Sequence, residues 1–294
     1  MNRRNFVRNS SAVLAATTLG IPQWLSETQK KVGRIGIQLY TVRDDMRKDP
    51  VRTLARLAEI GYQDVEIAGY AEGKFYGMTP TEFKNQLKQN GLTSISGHTQ
   101  TGADNPKRRG TLINDWESAV ADAAALNQKY FICAYLHEFE RKTMDGYKKV
   151  AELLNKGGEV CKRYGIQMGY HNHDFEFIDL EGQIPYDLLL KETDADLVKM
   201  ELDLYWVRKA KKDAVAYFKM HPGRFPLWHV KDMENTPEQF FAEVGKGVID
   251  WKALFKERKT AGLKHFYVEQ DACRNHQPLE SVDISYRYLK QLKY

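Results

Sequence analysis

The segment IQMGYHNH, residues 166–173, has the pattern of a short buried strand that ends in two histidines. It follows the amphipathic segment GYKKVAELLNKGGEVCKRYG, residues 146–165, whose apolar spacing predicts a helix that ends at Gly165. A helix followed by a short strand is the repeating unit of α/β proteins. His171 and His173 are therefore candidates for metal ligands, catalytic bases or polar residues at a strand end.

The same alternation continues in both directions along the chain. The other predicted strands are RIGIQLY, DVEIAG, LTSISGH, KYFICAYL, LVKMELD, FPLWHVKD and HFYVEQD. Helix-length segments such as DPVRTLARLAEIG and TPTEFKNQLKQNG lie between them. Eight such units predict a single (β/α)₈ TIM barrel over residues 30–294. An open doubly wound sheet is the alternative, but no G-x-G-x-x-G motif follows an early strand.

Residues 1–29 have a different composition. They begin NRRNFVR, with Arg3 and Arg4 adjacent, and continue into a mildly apolar stretch rich in Ser, Thr and Ala. This pattern resembles a twin-arginine export signal, so we expect a signal peptide here and a periplasmic location for the mature protein. A basic arm without regular structure is the alternative.

The bulk composition excludes several classes of protein. The formal net charge is +5, with 28% charged residues, and the basic residues are interspersed with acidic ones. We therefore expect no nucleic acid partner and, after removal of the signal, no membrane partner. The three cysteines form no CxxC pair, which argues against a disulfide framework or a cysteine zinc site. A homo-oligomer remains open.

In a barrel of this kind, the active site lies at the C-terminal ends of the strands. Four consecutive predicted strands end in polar pairs two residues apart, which places each pair on one face of its strand. The pairs are His171 and His173, Glu201 and Asp203, His229 and Lys231, and Glu269 and Asp271. Earlier strands end near Gln38 and Tyr40, at Glu66 and at His98.

Part of this set suits a divalent cation. One of the strand 5 histidines would join Asp203, His229 and Glu269 as a mixed imidazole and carboxylate ligand set. Such donors favour Mn²⁺, Zn²⁺ or Co²⁺ over Ca²⁺ or Mg²⁺, which prefer oxygen ligands throughout. We expect one bound ion, and the sequence leaves open whether His171 or His173 is its ligand.

The segments GIQLYTVRD, YHNHDFEF, ELDLYW, HVKDM, GKGVIDW and FYVEQD resemble the xylose isomerase-like TIM barrel superfamily, often labelled sugar phosphate isomerases/epimerases. The resemblance covers residues 33–294. It implies that Asp203, His229 and Glu269 hold the metal, and it places His171 where glutamate is usual. With histidine in that position, a proton shuttle between two glutamates is in doubt.

The remaining roles follow from this resemblance and from side-chain chemistry. Glu269 is expected to act as ligand and proton acceptor, His171, His173 and His98 as ligand or acid–base groups, and Lys231 as a cation beside a substrate oxyanion. The predicted substrate-binding residues are Gln38, Tyr40, Glu66 and Trp206. An aromatic face such as that of Trp206 suits a sugar ring.

The leading functional hypothesis is a metal-dependent sugar isomerase or epimerase that removes a proton next to a carbonyl. Its partner would be a small carbohydrate, either non-phosphorylated or oxidised, because sugar phosphates belong to the cytoplasm. A lyase or dehydratase acting on 3-keto-glycosides or keto-inositols is the first alternative, favoured by the export signal and by His171. An exported sugar-binding barrel without catalysis is the second.

Overall fold

The computed structural model describes residues 30–294, in which eight parallel strands form a closed barrel. The strands are β1 Gly36–Gln38, β2 Asp64–Ile67, β3 Thr93–Thr99, β4 Tyr130–Cys133, β5 Gln167–His171, β6 Val198–Asp203, β7 Leu227–Val230 and β8 His265–Val268. Each strand pairs with its neighbours in the chain, and β8 pairs with β1 to close the sheet. The predicted TIM barrel is confirmed. The export signal predicted over residues 1–29 lies outside the described residues.

Helices surround the barrel between successive strands. They are α1 Arg43–Lys48, α2 Pro50–Ile60, α3 Pro80–Gln89, α4 Trp116–Ala125, α5 Met144–Arg163, α6 Pro185–Glu192, α7 Leu204–Lys209, α8 Ala214–Met220, α9 Trp251–Lys256, α10 Arg258–Ala261 and α11 Pro278–Gln291. Two antiparallel ribbons, Tyr70–Ala71 with Lys74–Phe75 and Asp232–Met233 with Phe241–Ala242, follow β2 and β7. Among the helices within residues 30–294, none is long and apolar enough to cross a lipid bilayer.

Local sequence signals account for the helix boundaries. The Asp49 side chain accepts a hydrogen bond from the Arg52 backbone N–H at 3.0 Å, and Pro50 occupies the first helical position of α2. The helix ends at Gly61, whose φ of 119° is one that other residues rarely adopt. Thr79 and Glu82 form a capping box at the start of α3.

Two apolar regions hold the barrel together. The larger one lies between the strands and the surrounding helices and includes Leu54, Phe83 and Trp228. A separate cluster contains Ile132, Leu227 and Tyr267. Leu227 and Tyr267 precede His229 and Glu269 by two residues, so they share the inward face and lie one layer nearer the N-terminal ends of the strands. This apolar layer is the floor under the polar residues.

Glycines make room for that floor. A Cβ atom at Gly36 would lie 2.5 Å from the ring of Tyr267, and one at Gly169 would lie 2.4 Å from Ile132 Cδ1. Both distances are far below van der Waals contact, so larger residues at either position would displace the floor.

The strands are shorter than the sequence predicts at their C-terminal ends. Strand β5 ends at His171, β7 at Val230 and β8 at Val268. Consequently His173, Lys231, Glu269 and Asp271 lie on the loops directly beyond the strands. These loops form the mouth of the barrel.

Candidate metal and catalytic site

The structure brings the four predicted metal ligands together. One ligand atom from each of His171, Asp203, His229 and Glu269 lies within 4.8 Å of the others, and all four residues are buried. His229 Nδ1 is 2.9 Å from Glu269 Oε2, and His171 Nε2 is 3.4 Å from Asp203 Oδ2. We call this group the upper cluster.

Asp203 is held by the helix that follows it. Its Oδ1 accepts hydrogen bonds from the backbone N–H groups of Tyr205 at 2.9 Å and Trp206 at 3.0 Å, which caps α7. Its Oδ2 points to the upper cluster. One carboxylate therefore starts a helix with one oxygen and presents the other oxygen to the upper cluster.

The structure separates the two histidines of β5. His171 Nδ1 is 3.3 Å from the carbonyl oxygen of Ala134, which can only accept, so Nδ1 carries the proton and Nε2 faces the upper cluster. His173 lies outside the cluster, with its ring stacked on Phe175 at 5.2 Å. These two positions favour His171 over His173 as the candidate ligand. Burial, followed by the proximity of His171 and Lys231, holds the pKa of His173 well below its usual value.

Lys231 lies among three carboxylates. Its Nζ is 2.9 Å from Asp203 Oδ2, 2.7 Å from Glu269 Oε2 and 3.0 Å from Asp271 Oδ2. Burial alone would lower the pKa of Lys231, but the three negative charges outweigh burial and raise that pKa well above its usual value. The ammonium therefore stays charged beside the upper cluster.

The same interactions keep the two carboxylate ligands ionised. Burial would raise the pKa of Asp203, but Lys231 and His171 lower it to about 2. Burial would also raise the pKa of Glu269, but Lys231 and His229 hold it well below its usual value. Both groups are thus available as anionic ligands at neutral pH.

A second polar group, which we call the lower cluster, lies against the other edge of the His229 ring. His229 Nε2 is 2.6 Å from Glu66 Oε2 and 3.2 Å from Glu201 Oε2. His98 Nε2 is 2.8 Å from Glu201 Oε2 and 3.2 Å from Glu66 Oε2. Glu66, Glu201 and His229 are fully buried.

Charge attraction dominates the lower cluster. Burial would lower the pKa of His98, but the charge of Glu66 and the hydrogen bond to Glu201 raise it to about 9. Burial would raise the pKa of Glu66, but His98 and His229 hold it well below its usual value. The Glu66 carboxylate and the His98 imidazolium therefore stabilise each other's charged forms in the barrel interior.

Several predicted substrate-binding residues lie away from the open cavity at the mouth. Gln38 and Glu66 are fully buried and hydrogen-bonded to each other, at 2.8 Å from Gln38 Nε2 to Glu66 Oε2. In these buried positions, the two side chains are better placed to support His229 than to contact a sugar. Trp206 packs beside His173, with ring centroids 5.4 Å apart, and its contact with a sugar stays a prediction.

The cavity at the mouth has a volume of about 640 Å³, within the range of small-molecule sites. It is lined by two residues of the upper cluster and by tyrosine, arginine, histidine and aspartate side chains around them. Named in chain order, the lining includes Tyr40, Tyr70, His98, Arg108, Arg109, Tyr135, His171, His173, Glu269 and Asp271. Tyr40, His98 and His173 were predicted site residues; Arg108, Arg109 and Tyr70 were not.

A larger hollow of about 800 Å³ opens at the opposite end of the barrel. It is lined by lysines such as Lys129, Lys199 and Lys264, next to the first residues of the strands. It contains no member of either cluster, and this face of a TIM barrel serves stability. The candidate site is therefore the cavity at the mouth.

Sequence reasoning also missed two buried residues that shape the β5 loop. The Asn172 side chain accepts from the Asp203 backbone N–H at 3.0 Å and joins β5 to β6. Glu176 accepts from the Tyr170 hydroxyl at 2.6 Å and from the His173 backbone N–H at 2.8 Å. Both lie in the quoted YHNHDFEF segment, but their partners depend on the fold of the loop.

The upper cluster fits a divalent cation by the chemistry of its donors. Two imidazoles and two carboxylates converge at one buried point, which suits Zn²⁺, Mn²⁺ or Co²⁺. The helix cap holds Asp203 and a backbone carbonyl holds His171, so two of the four ligands are fixed before a cation binds.

A closed parallel barrel with histidine and carboxylate side chains at its C-terminal mouth defines a TIM barrel with a candidate metal site. The chain belongs to the xylose isomerase-like TIM barrel family, whose model matches residues 54–292. Two structures from Parabacteroides distasonis, each described as a sugar phosphate isomerase/epimerase, are similar to it. One is 27% identical with a TM-score of 0.78, and the match covers 88% of this chain and 99% of that structure's chain. The other is 30% identical with a TM-score of 0.75, and the match covers 88% of this chain and 94% of that structure's chain.

The chain is also similar to curated relatives over part of its length. The chain is 27% identical over 164 residues to an inosose dehydratase of Lactiplantibacillus plantarum and 25% identical over 175 residues to one of Clostridium tetani. These matches cover 49% and 52% of this chain and 54% and 58% of the relatives. The chain thus spans about half the length of the curated relatives it matches.

Proposed function

We propose that this protein is a metal-dependent enzyme that removes a proton from the carbon next to a carbonyl of a carbohydrate. The observation that carries the proposal is the convergence of His171, Asp203, His229 and Glu269 beside the open cavity, which the first and last of them line. A divalent cation bound there would stabilise the negative charge that develops on the carbonyl oxygen when the proton leaves.

The chain's own residues supply the rest of the chemistry. Glu269 lines the cavity and is the candidate proton acceptor. Lys231 Nζ, 2.7 Å from Glu269 Oε2, holds that carboxylate in place and adds a permanent positive charge beside the reacting oxygen. His173 lines the cavity as a neutral imidazole and is the candidate for exchanging a hydrogen bond or a proton with the substrate.

Isomerisation or epimerisation is the first candidate outcome of this proton removal, in line with the two Parabacteroides structures. Elimination is the second, and two observations favour it. The curated relatives are inosose dehydratases, and His171 takes a position at which the resemblance implies glutamate. With one glutamate of the expected pair replaced, loss of a leaving group is chemically simpler than return of the proton to another position.

The proposal is tested by incubating the metal-loaded protein in deuterium oxide with 3-ketoglucose, a 3-keto-glycoside and an inosose. Nuclear magnetic resonance would follow deuterium entry at the carbon next to the carbonyl. A new monosaccharide identifies the isomerase or epimerase, and loss of water or of the aglycone identifies the lyase. Binding of sugar without exchange or turnover would reject the enzymatic proposal in favour of a sugar-binding barrel.

A further inference from the structure

The lower cluster raises a question that the upper cluster does not answer. Glu66, His98, Glu201 and His229 also bring four ligand-type atoms within 4.8 Å of one another. One oxygen each of Glu66 and Glu201 is buried without a hydrogen-bond partner among the described residues. This group is either a second cation site or a support for the first.

Hydrogen-bond geometry distinguishes these readings. The Tyr40 backbone N–H donates to Gln38 Oε1 at 3.1 Å, which orients the Gln38 amide so that its Nε2 donates to Glu66 Oε2. The same Glu66 oxygen is 2.6 Å from His229 Nε2. An ionised carboxylate has no proton to donate, so the Glu66 oxygen accepts a hydrogen bond from both the Gln38 amide and the His229 ring. His229 Nε2 is therefore protonated.

Nδ1 of His229 faces the upper cluster, 2.9 Å from Glu269 Oε2, so a cation bound there would take the place of the Nδ1 proton while Nε2 keeps its own. A cation in the lower cluster would need the Nε2 lone pair too, and His229 would then have to lose both protons and become an imidazolate. A carboxylate that fixes the tautomer of a metal-binding histidine is a common arrangement around metals, and its loss weakens metal binding.

We propose that Glu66 is a positioning residue that acts through His229, and that the protein binds one divalent cation per chain, in the upper cluster. Gln38 orients Glu66, and the pair Glu201 and His98 completes the buried support. This inference rests on the proposed metal site. It assigns Glu66 a role in metal affinity rather than in contact with the sugar.

The test is a Co²⁺ titration of the purified protein, read by the visible absorption of the bound ion. Wild type and Glu243→Gln, which alters a buried carboxylate bonded to Ser281, are expected to bind one Co²⁺ with equal affinity. Glu66→Met removes the acceptor and should weaken binding ~10–100-fold and change the shape of the Co²⁺ spectrum. Glu66→Gln retains an acceptor oxygen and should fall between Glu66→Met and wild type.

The outcomes separate this inference from the proposed function. Equal Co²⁺ binding by wild type and Asp203→Asn would reject the metal site itself. Loss of binding in Asp203→Asn, with both Glu66 variants within about twofold of wild type, would overturn only the role of Glu66. Two Co²⁺ per wild-type chain, or weaker binding by Glu66→Gln than by Glu66→Met, would also overturn it. If circular dichroism shows that Glu66→Met does not fold, the affinity of Glu66→Gln decides.

Discussion

Asp203 illustrates how much one residue contributes to this site. Its two oxygens serve different partners, because Oδ1 caps α7 and Oδ2 faces Lys231, His171 and His229. The motif ELDLYW led to the prediction that Asp203 is a metal ligand. The cap was also foreseeable in principle, since aspartate directly before a helical segment is a common N-cap.

Two substitutions at Asp203 separate its two contributions. Asp203→Asn keeps an oxygen for the cap but removes the charge, whereas Asp203→Ala removes both. We expect both variants to lose bound metal, and the free energy of unfolding of Asp203→Ala to be lower than that of Asp203→Asn by at least about 1 kcal/mol. Metal analysis and urea denaturation measure these effects. Full metal content in Asp203→Asn would contradict the assignment.

Lys231 offers a second prediction at the residue scale. Lys231→Met leaves Asp203, Glu269 and Asp271 without their shared cation, so we expect the metal-free protein to lose on the order of 3 kcal/mol of stability. A divalent cation neutralises part of the same charge and should therefore stabilise this variant more than wild type.

Thermal denaturation with and without Zn²⁺ checks this expectation. Lys252→Met, at an exposed position of α9, is the matched control and should behave like wild type. An equal rise in melting temperature on addition of Zn²⁺ to wild type and to Lys231→Met would show that the lysine and the metal do not share carboxylates.

At the scale of elements, periodicity and helix caps made the strands and helices predictable. The helix predicted to end at Gly165 is observed as Met144–Arg163, and Gly165 follows it with a φ of 68°. What the sequence could not give is the depth of side chains within the barrel. Glu201 and Asp203 share a face of β6 but are about 6–7 Å apart along it, so they belong to the lower and upper clusters respectively.

The loop that supplies Arg108 and Arg109 could not be predicted either. It joins β3 to α4, and its position over the cavity depends on contacts such as that between Arg109 Nη2 and Asp115 Oδ2 at 2.6 Å. Neither arginine belongs to a strand-end pattern. Loops of this kind carry binding residues whose placement is set by the tertiary structure.

The loop after β7 depends on one buried carboxylate. Asp232 accepts hydrogen bonds from the backbone N–H groups of Met233, Gly245 and Ile249 and from Trp251 Nε1. We expect Asp232→Ala to lower the free energy of unfolding by about 3 kcal/mol, because four donors, two of them fully buried, lose their acceptor. Chemical denaturation measures the loss.

Gly247 provides an independent check on the same loop. A Cβ atom there would lie 2.2 Å from Asp232 Oδ1, so Gly247→Ala should destabilise the protein in the same way. Wild-type stability in both variants would mean that the GKGVIDW loop does not depend on Asp232.

The β5 loop should respond to pH through Glu176. Burial raises the pKa of Glu176 to about 7, and its hydrogen bonds only partly oppose that rise. A carboxyl group whose folded pKa lies above its unfolded value stabilises the fold below the unfolded pKa of 4.5, and that stability is lost as pH rises through about 7. Glu176→Gln imitates the protonated form and removes this dependence.

Melting of wild type and Glu176→Gln at pH 5 and pH 8 tests the sign. The variant should gain stability relative to wild type on going to pH 8, by up to on the order of 3 kcal/mol. A difference between the two proteins that stays constant across this range would show that Glu176 does not titrate there.

At the scale of the whole molecule, the proposed export of the protein rests on its first residues. Replacing Arg3 and Arg4 by lysine keeps the charge but removes the paired arginines that the twin-arginine pattern requires. We expect this variant to stay inside the cell, while Arg8→Lys is exported like wild type. Cell fractionation and immunoblotting measure the distribution, and periplasmic accumulation of the Arg3/Arg4 variant would contradict the proposal.

The apolar floor of Ile132, Leu227 and Tyr267 also has a consequence for turnover. The interior of such a barrel is packed and is not a channel, so the floor closes the route below the clusters. Under the proposed function, a sugar must arrive and its product must depart through the same opening. The product is therefore expected to act as a competitive inhibitor, and its departure sets an upper limit on how quickly the next molecule is accepted.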